Sequence, residues 1–431
     1  MTGDTTGQGA AGQRPVMVLV DAFSTGAMLA RQAAARYRLV HLRSRPDMPG
    51  AFAASLPRDV GFEADLSYPE QAGEVLGLLD RLRPVAIVPA SEFGIEVADE
   101  LSGRLGLRGN DPALSAARRD KSAMMAALAA ASVRAPRQHR GTSAAELVAW
   151  RRAAGLGKVV VKPLDSAGSE DVYACETDGE IAAAFAAILG KTNLMMRPND
   201  AVLAQEYLDG DEFVVNTVSR DGTHWFTDAW LSRKAVVSGS GNGNGAAGTR
   251  RIYDHEDLLA ADDPRLAPVL PYVGEVLDAL GITDGPAHTE LIAAPRGPCL
   301  LETGARVSGL ADPPALDRCT GANQVSLAVD CYSGQPGALA RAPLRYRRRE
   351  RARCVNLIAA REVPMPAAAL RAALAGLPAV QSIRFRRQEG EPVSVTVDLN
   401  TSPGVVFLVH PEQAEIDAAY LALRDAERAL L

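Results

Sequence analysis

Glu290 and Glu302 are spaced so that they can act together on a cation. The chain around Pro295-Arg296-Gly297-Pro298 reads as a hairpin, and cross-strand partners in a hairpin have a constant index sum. The two glutamates are symmetric about Arg296, so they are expected to face each other on one side of the strand pair. Directly opposed like charges destabilise such a pair, so this arrangement is expected mainly where a cation bridges it. Carboxylates together with phosphate oxygens are the ligand set that Mg2+ prefers. A slipped register, or two carboxylates that are merely exposed, is the alternative.

Lys162 ends the run Val159-Val160-Val161-Lys162-Pro163, apolar enough to be a buried strand, and a lysine there needs an anionic partner. The small-residue loop after it, 166–169, could offer backbone N–H groups to phosphate oxygens, because small side chains let the backbone approach closely. A plain hairpin turn is the competing reading. Glu206 and Glu212 flank Asp209-Gly210. A nucleotide's adenine can hydrogen-bond such a strand end while a carboxylate takes the ribose hydroxyls. By itself, a glutamate beside a turn is more often a solvated charge.

These residues must be held by elements, and the pattern supplies two kinds. An apolar strand at 16–20, a polar loop at 21–26 and a helical pattern at 27–37 open the chain. Strands at 38–42 and 85–89 follow at spacings that leave room for crossover helices, so the first hundred or so residues read as a parallel α/β unit. Its ligand-bearing loops would be 21–26 and 89–94. An alanine-rich helix is then predicted over 113–131. Short strands at 159–162 and 172–175 follow, and antiparallel signals at 201–208, 212–219 and 224–231 with turns at Asp209-Gly210 and Asp221-Gly222 make this region α+β. Residues 238–249 are almost all Gly, Asn, Ser and Ala and are expected to form a mobile surface loop. A basic run through Arg353 leads into a last unit, with strands at 354–359, 382–386, 393–399 and 405–410 and helices at 367–375 and 412–429.

Composition sets the limits. The chain has 431 residues, of which 47% are hydrophobic, enough for about three domains and incompatible with a disordered or fibrous protein. Lysine and arginine number 46 against 52 acidic residues, so no basic excess points to nucleic acid or a membrane surface. Five scattered cysteines without Cys-x-x-Cys spacing fit a reducing compartment. With no cationic segment leading into an apolar run at the start, a soluble cytoplasmic protein with a frayed tail at 1–14 is expected.

Lys121, Val161-Lys162-Pro163 with its loop, Gln205-Glu206-Tyr207-Leu208-Asp209-Gly210-Asp211-Glu212-Phe213-Val214-Val215, His288-Thr289-Glu290 and Leu301-Glu302-Thr303-Gly304-Ala305-Arg306 stand in an order and spacing that resembles the motif series of the ATP-grasp superfamily. The flanks are similar to L-amino-acid ligases of the bacilysin type: the opening loop at 21–26, Pro89-Ala90-Ser91-Glu92, Ala98-Asp99-Glu100-Leu101, Leu105-Gly106-Leu107 before Gly109-Asn110, and Asp398-Leu399-Asn400-Thr401-Ser402-Pro403-Gly404. The resemblance covers nearly the whole chain. It implies an α/β and α+β multidomain ATP-grasp fold: a pre-ATP-grasp α/β domain at 15–112, a lid subdomain at 113–200, a large subdomain at 201–341 and a C-terminal α+β domain at 342–431.

Carried over by position, Lys121 and Lys162 become phosphate contacts, with Ser169 in the loop beside them and Lys234 as a further candidate. Glu206, Tyr207 and Leu208 become the adenine hinge, and Glu212 the ribose carboxylate. Glu290 and Glu302 become Mg2+ ligands, with Mn2+ as a substitute, and Arg306 the guanidinium against an acyl phosphate and a tetrahedral intermediate. Many family members carry Asn two residues after the second glutamate, where this chain has Gly304, so the metal count stays open. Glu92 could hold a substrate ammonium and His255 could line the pocket, each equally readable as an ordinary surface residue. The implied reaction joins an amino-acid carboxylate to an amine and yields ADP and phosphate, with 238–249 as a lid; a non-peptide product, or nucleotide binding without catalysis, are the rivals. Partners are small molecules, and dimerisation is left open.

Overall fold

Val16–Val20 is buried along its whole length, as a strand can be only where layers cover both faces of its sheet. The computed structural model describes residues 14–48, 50–166, 168, 170–238, 249–334 and 337–431. In it this strand, β1, joins β2 (Arg38–Arg43), β3 (Phe62–Ser67) and β4 (Ala86–Pro89) in a sheet of order β3-β2-β1-β4, with all its pairings parallel. Val16, Val18 and Val20 pack with Val75 and Leu79 of the helix Ala72–Leu82 and with Ala98 and Leu101 of the helix Ile95–Leu105. Met17 and Leu19 pack on the other side with Leu29 and Ala33 of the helix Gly26–Ala34 and with Ala328 of the helix Gln324–Cys331. Chain direction across the sheet reverses between β1 and β4, so the loops after these strands border the crevice where such sheets bind ligands. β3 is a strand the sequence pattern misses. It is a half-exposed edge, and its Glu63 and Asp65 are paired with Arg38 and Arg43 of its neighbour.

The helix expected over 113–131 is in two pieces, a 3-10 turn at Pro112–Arg118 and a helix at Lys121–Ala130. Asp120 makes the break. Its backbone is extended and its carboxylate accepts from Ala123 N–H at 2.8 Å, which starts a new helix with Lys121 as first residue.

A second, antiparallel sheet has the order β5-β8-β6-β7, formed by β5 (Gln138–Gly141), β6 (Val159–Lys162), β7 (Tyr173–Cys175) and β8 (Val202–Glu206). The helices Ala144–Ala153 and Asp178–Ile188 cover it through Leu147, Ile181 and Phe185. Because β8 belongs here, the boundary between this unit and the next runs at the turn after Tyr207, not before Ala201. Asp209-Gly210 is accordingly a crossing between sheets and not a hairpin turn.

The third sheet has eight strands. They are β9 (Asp211–Arg220), β10 (Thr223–Ser238), β11 (Thr249–Leu258), β12 (Gly285–Ala294), β13 (Gly297–Gly304), β14 (Arg351–Asn356), β16 (Val380–Phe385) and β18 (Gly404–His410), in the order β13-β12-β9-β10-β11-β14-β18-β16. β15 (Val363–Pro364) and β17 (Pro392–Val393) form a separate short ladder. Phe213, Val215, Leu291 and Leu300 turn to the helix Val269–Ala279, so the residues between them present the opposite face.

The last unit is thus not a sheet of its own: β14, β18 and β16 extend the large sheet past β11. The basic run leading into it is folded in, with Tyr346 donating to Leu259 O and Arg353 paired to Asp257 at 2.7 Å. The strand expected over 393–399 shrinks to β17. Past it, Asp398 Oδ1 accepts from Asn400 N–H and Thr401 N–H and curls the chain into a turn. The loop expected over 238–249 lies, but for its two ends, outside the described residues.

Candidate active site

Glu290 of β12 and Glu302 of β13 are cross-strand partners, as the index sum of 592 requires. The route to that sum is less direct than an ideal hairpin. The turn closes as Ala294↔Gly297, and the ladder runs with a sum of 591 as far as Leu291↔Leu300. An irregularity between Glu290 and Leu291 leaves Leu301 as an extra residue on β13 and moves the sum up by one. Without that bulge, Glu302 would sit opposite Thr289 and on the wrong face. Both carboxylates keep some solvent contact, with 23% and 28% of their side-chain surface open. Their charge is offset from two directions. His288 Nε2 lies 3.2 Å from Glu290 Oε1, and Lys121 Nζ lies 2.6 Å from Glu302 Oε2. Burial pushes Glu290 upward, but the His288 contact and the charges of Arg306 and Lys234 outweigh it and hold the carboxyl below its usual range.

Lys121 opens its helix, where a cation opposes the helix dipole, and it is buried. Glu302 resolves that conflict, and Ser166 O accepts a further bond at 3.2 Å. Burial lowers the affinity of Lys121 for its proton, yet Glu302, Asp165 and Glu92 raise it beyond the ordinary lysine value. Lys162 has no such carboxylate contact. At the end of β6 it is 6% exposed, and its one direct hydrogen-bond partner among the described residues is the neutral Gln205 Oε1 at 3.0 Å. Burial first, and then the charge of Lys121, push its pKa down to about 8. A buried ammonium with a neutral partner is a receptor for an anion.

The Glu206 carboxylate turns out of the cluster to Arg137, at 2.8 Å from Nε, so only its backbone remains for a hinge. Tyr207 carries Lys158 Nζ 4.4 Å over its ring. Glu212, second in β9, has one oxygen accepting from Lys234 Nζ at 2.6 Å and the other from Tyr253 Oη at 2.7 Å. Lys234 therefore reaches this cluster through Glu212. Ser169 lies outside the described residues.

Arg306, four residues beyond Glu302, donates from Nε to Glu92 Oε2 at 2.7 Å. Glu92 comes from the loop after β4, so the pair joins the parallel sheet to the large one. Gly304 leaves the room for it: a Cβ there would stand 2.8 Å from Glu92 Oε2. Among the described candidates, His255 is kept away from the cluster. In a regular strand it would share the face of Tyr253, but Asp254 bulges out between the two where the ladder skips from Lys234↔Tyr253 to Arg233↔His255. The ring is carried to the other face, against Tyr420 at 5.0 Å. Glu256 takes the inner place instead. It lines a small cavity with Asn216, Trp230 and Ser308, and burial together with the charges of Glu290, Glu212 and Asp228 pushes its carboxyl up to about 8. Nothing in the local sequence distinguishes Glu256, because the bulge that turns it inward is invisible there.

The site thus brings together two opposed carboxylates, two buried lysines and a guanidinium. No family model matches the sequence. Dapdiamide A synthase of Enterobacter agglomerans is 30% identical over 424 residues, which take in 96% of each chain. This chain belongs to the ATP-grasp carboxylate–amine ligases. The fold is also that of the L-amino acid ligase from Bacillus licheniformis, with a TM-score of 0.70 at 16% identity over 96% of this chain and 98% of that one. A carboxyaminoimidazole ribonucleotide synthase of Aspergillus clavatus solved with ATP gives 0.69 at 14% identity over 97% and 100%. As an ATP-dependent ligase of this family, the protein has no helix among its described residues long and apolar enough to cross a membrane. The two facing carboxylates are of the donor type through which Mg2+ is bound, one or two carboxylates together with phosphates.

Proposed function

We propose that this ligase uses ATP and Mg2+ to convert an amino-acid carboxylate to an acyl phosphate, which the amine of a second amino acid then attacks. The observation that carries this reading is Lys162: a buried ammonium on a neutral amide, within electrostatic reach of Glu290 and Glu302. Lys121 and Lys162 would hold the terminal phosphates, Glu290 and Glu302 the metal, the backbone of Glu206 to Leu208 the adenine and Glu212 the ribose. Lys234 would add a contact through its place beside Glu212. When bound, Mg2+ would offset charge on the transferring phosphoryl group; positioning and electrostatics supply most of the rate in such transfers. Arg306 would stabilise the oxyanion formed when the amine attacks, and Glu92 would take a substrate ammonium. The relative's name supports an amide product, and the likeness to structures solved with ATP or ADP supports the nucleotide.

The intermediate gives the test. Hydroxylamine added with ATP, Mg2+ and amino-acid pools should trap it as a hydroxamate, with one ADP formed for each. ATP consumption without hydroxamate would sink the acyl-phosphate route.

A further inference from the structure

Four consecutive residues at the break before Lys121 each reach a different part of the molecule. Arg118, fully buried, pairs with Asp99 at 2.7 Å and donates to Leu280 O. Asp120 caps the helix and Lys121 holds Glu302. Arg119 is the member whose partners both belong to active-site loops. Its Nη1 donates to the backbone carbonyl of Glu92, in the loop after β4. Its Nη2 faces both oxygens of Asp165, at 3.4 and 3.3 Å, where the phosphate-binding loop leaves β6. Only 2% of its side-chain surface is open.

We propose that Arg119 is a positioning residue that couples occupancy of the phosphate-binding loop to the placement of Glu92 and, through it, of Arg306. The planar fork of a guanidinium holds two acceptors on separate loops in one fixed geometry, which an ammonium on a flexible stem does not reproduce. Further bonds lock the same segments together: Lys121 N–H donates to Leu164 O at 3.2 Å and Lys121 Nζ to Ser166 O at 3.2 Å. A shift of the loop on binding phosphate therefore pulls on Asp165, on Arg119 and on the Glu92 carbonyl. The Glu92 side chain holds Arg306 at 2.7 Å, so the same pull reaches the guanidinium that serves the second half-reaction. Arg119 Nε is buried and without a hydrogen-bond partner among the described residues, so the fork is held through its Nη atoms. This inference rests on the nucleotide reading above.

Hydrogen–deuterium exchange on the full chain, with and without Mg–AMP-PNP, tests it without any amino-acid substrate. In the parent, the nucleotide should slow exchange both at 162–166 and at 89–94. In Arg119→Met and Arg119→Lys, protection should persist at 162–166 and fall about tenfold at 89–94, within the usual range of coupling between sites. Arg119→Lys keeps a cation in the pocket and decides the matter if Arg119→Met folds poorly. Equal protection of 89–94 in parent and Arg119→Lys, or none there in a parent protected at 162–166, would overturn the coupling alone. No protection at 162–166 in the parent would overturn the nucleotide reading, and this proposal with it.

Discussion

Lys162 is a residue whose environment can be read by titration. Its pKa of about 8 in the nucleotide-free protein lies below the ordinary lysine value because burial and Lys121 disfavour the charged form. A phosphate favours that form, so binding draws a proton wherever the free protein has lost it. Nucleotide affinity should be full below about pH 8 and weaken above it, by up to about tenfold per pH unit, with proton uptake seen by calorimetry in two buffers. An affinity flat from pH 7 to 9.5 would place the phosphates elsewhere. Glu290→Gln and Glu302→Gln should each abolish ATP turnover and lower the melting temperature, because Glu302 holds the buried Lys121 at 2.6 Å and the cations about Glu290 outweigh its burial. Undiminished, Mg2+-dependent turnover in either variant would remove the metal assignment. Arg306→Lys keeps the charge but not the fork and should cost roughly a hundredfold or more in turnover, as deletion of an oxyanion donor does; a fully active lysine variant would show that the guanidinium stands away from the chemistry.

Elements decide which of these residues can meet. The facing of Glu290 and Glu302 was legible because a hairpin's arithmetic is local, although the count comes out through two offsets, a tighter turn and the Leu301 bulge. Where a bulge is not matched in this way, local arithmetic fails: Asp254 turns His255 out and Glu256 in. Partners far apart in sequence, such as Lys121 with Glu302 or Arg306 with Glu92, carry no pairwise signal in a single chain; only the order of motifs brings them together. The start of the Lys121 helix was hidden because alanine favours helix on both sides of the break, and a cap shows only in the backbone it stops. That cap can be tested. Asp120→Ala should cost about 1 kcal/mol of stability and raise the KM for ATP by displacing Lys121, while Asp120→Asn, which retains an acceptor, should restore most of both. Equal loss in the two variants would mean that the carboxylate's charge, and not the cap, is what matters.

At the scale of the whole molecule, one continuous eight-stranded sheet carries the facing Glu290 and Glu302 at one end and the C-terminal strands at the other. The parallel sheet delivers Glu92 to its cleft and the small sheet delivers Lys162. Composition and motif order made the fold class readable, whereas the joining of the C-terminal strands to the large sheet was not, because strand pairing across some hundred residues leaves no periodic trace. The proximity of Lys121 and Lys162, which the proposal sets at the terminal phosphates, argues for attack at the γ-phosphorus and against adenylation. The most direct test is to incubate the full chain with ATP, Mg2+ and amino-acid pools and to resolve nucleotides and amides together. ADP, phosphate and a new amide in equal amounts, with phosphate release slow until both a carboxylate and an amine are present, is the expected result; AMP with pyrophosphate, or ADP with no amide, would contradict it.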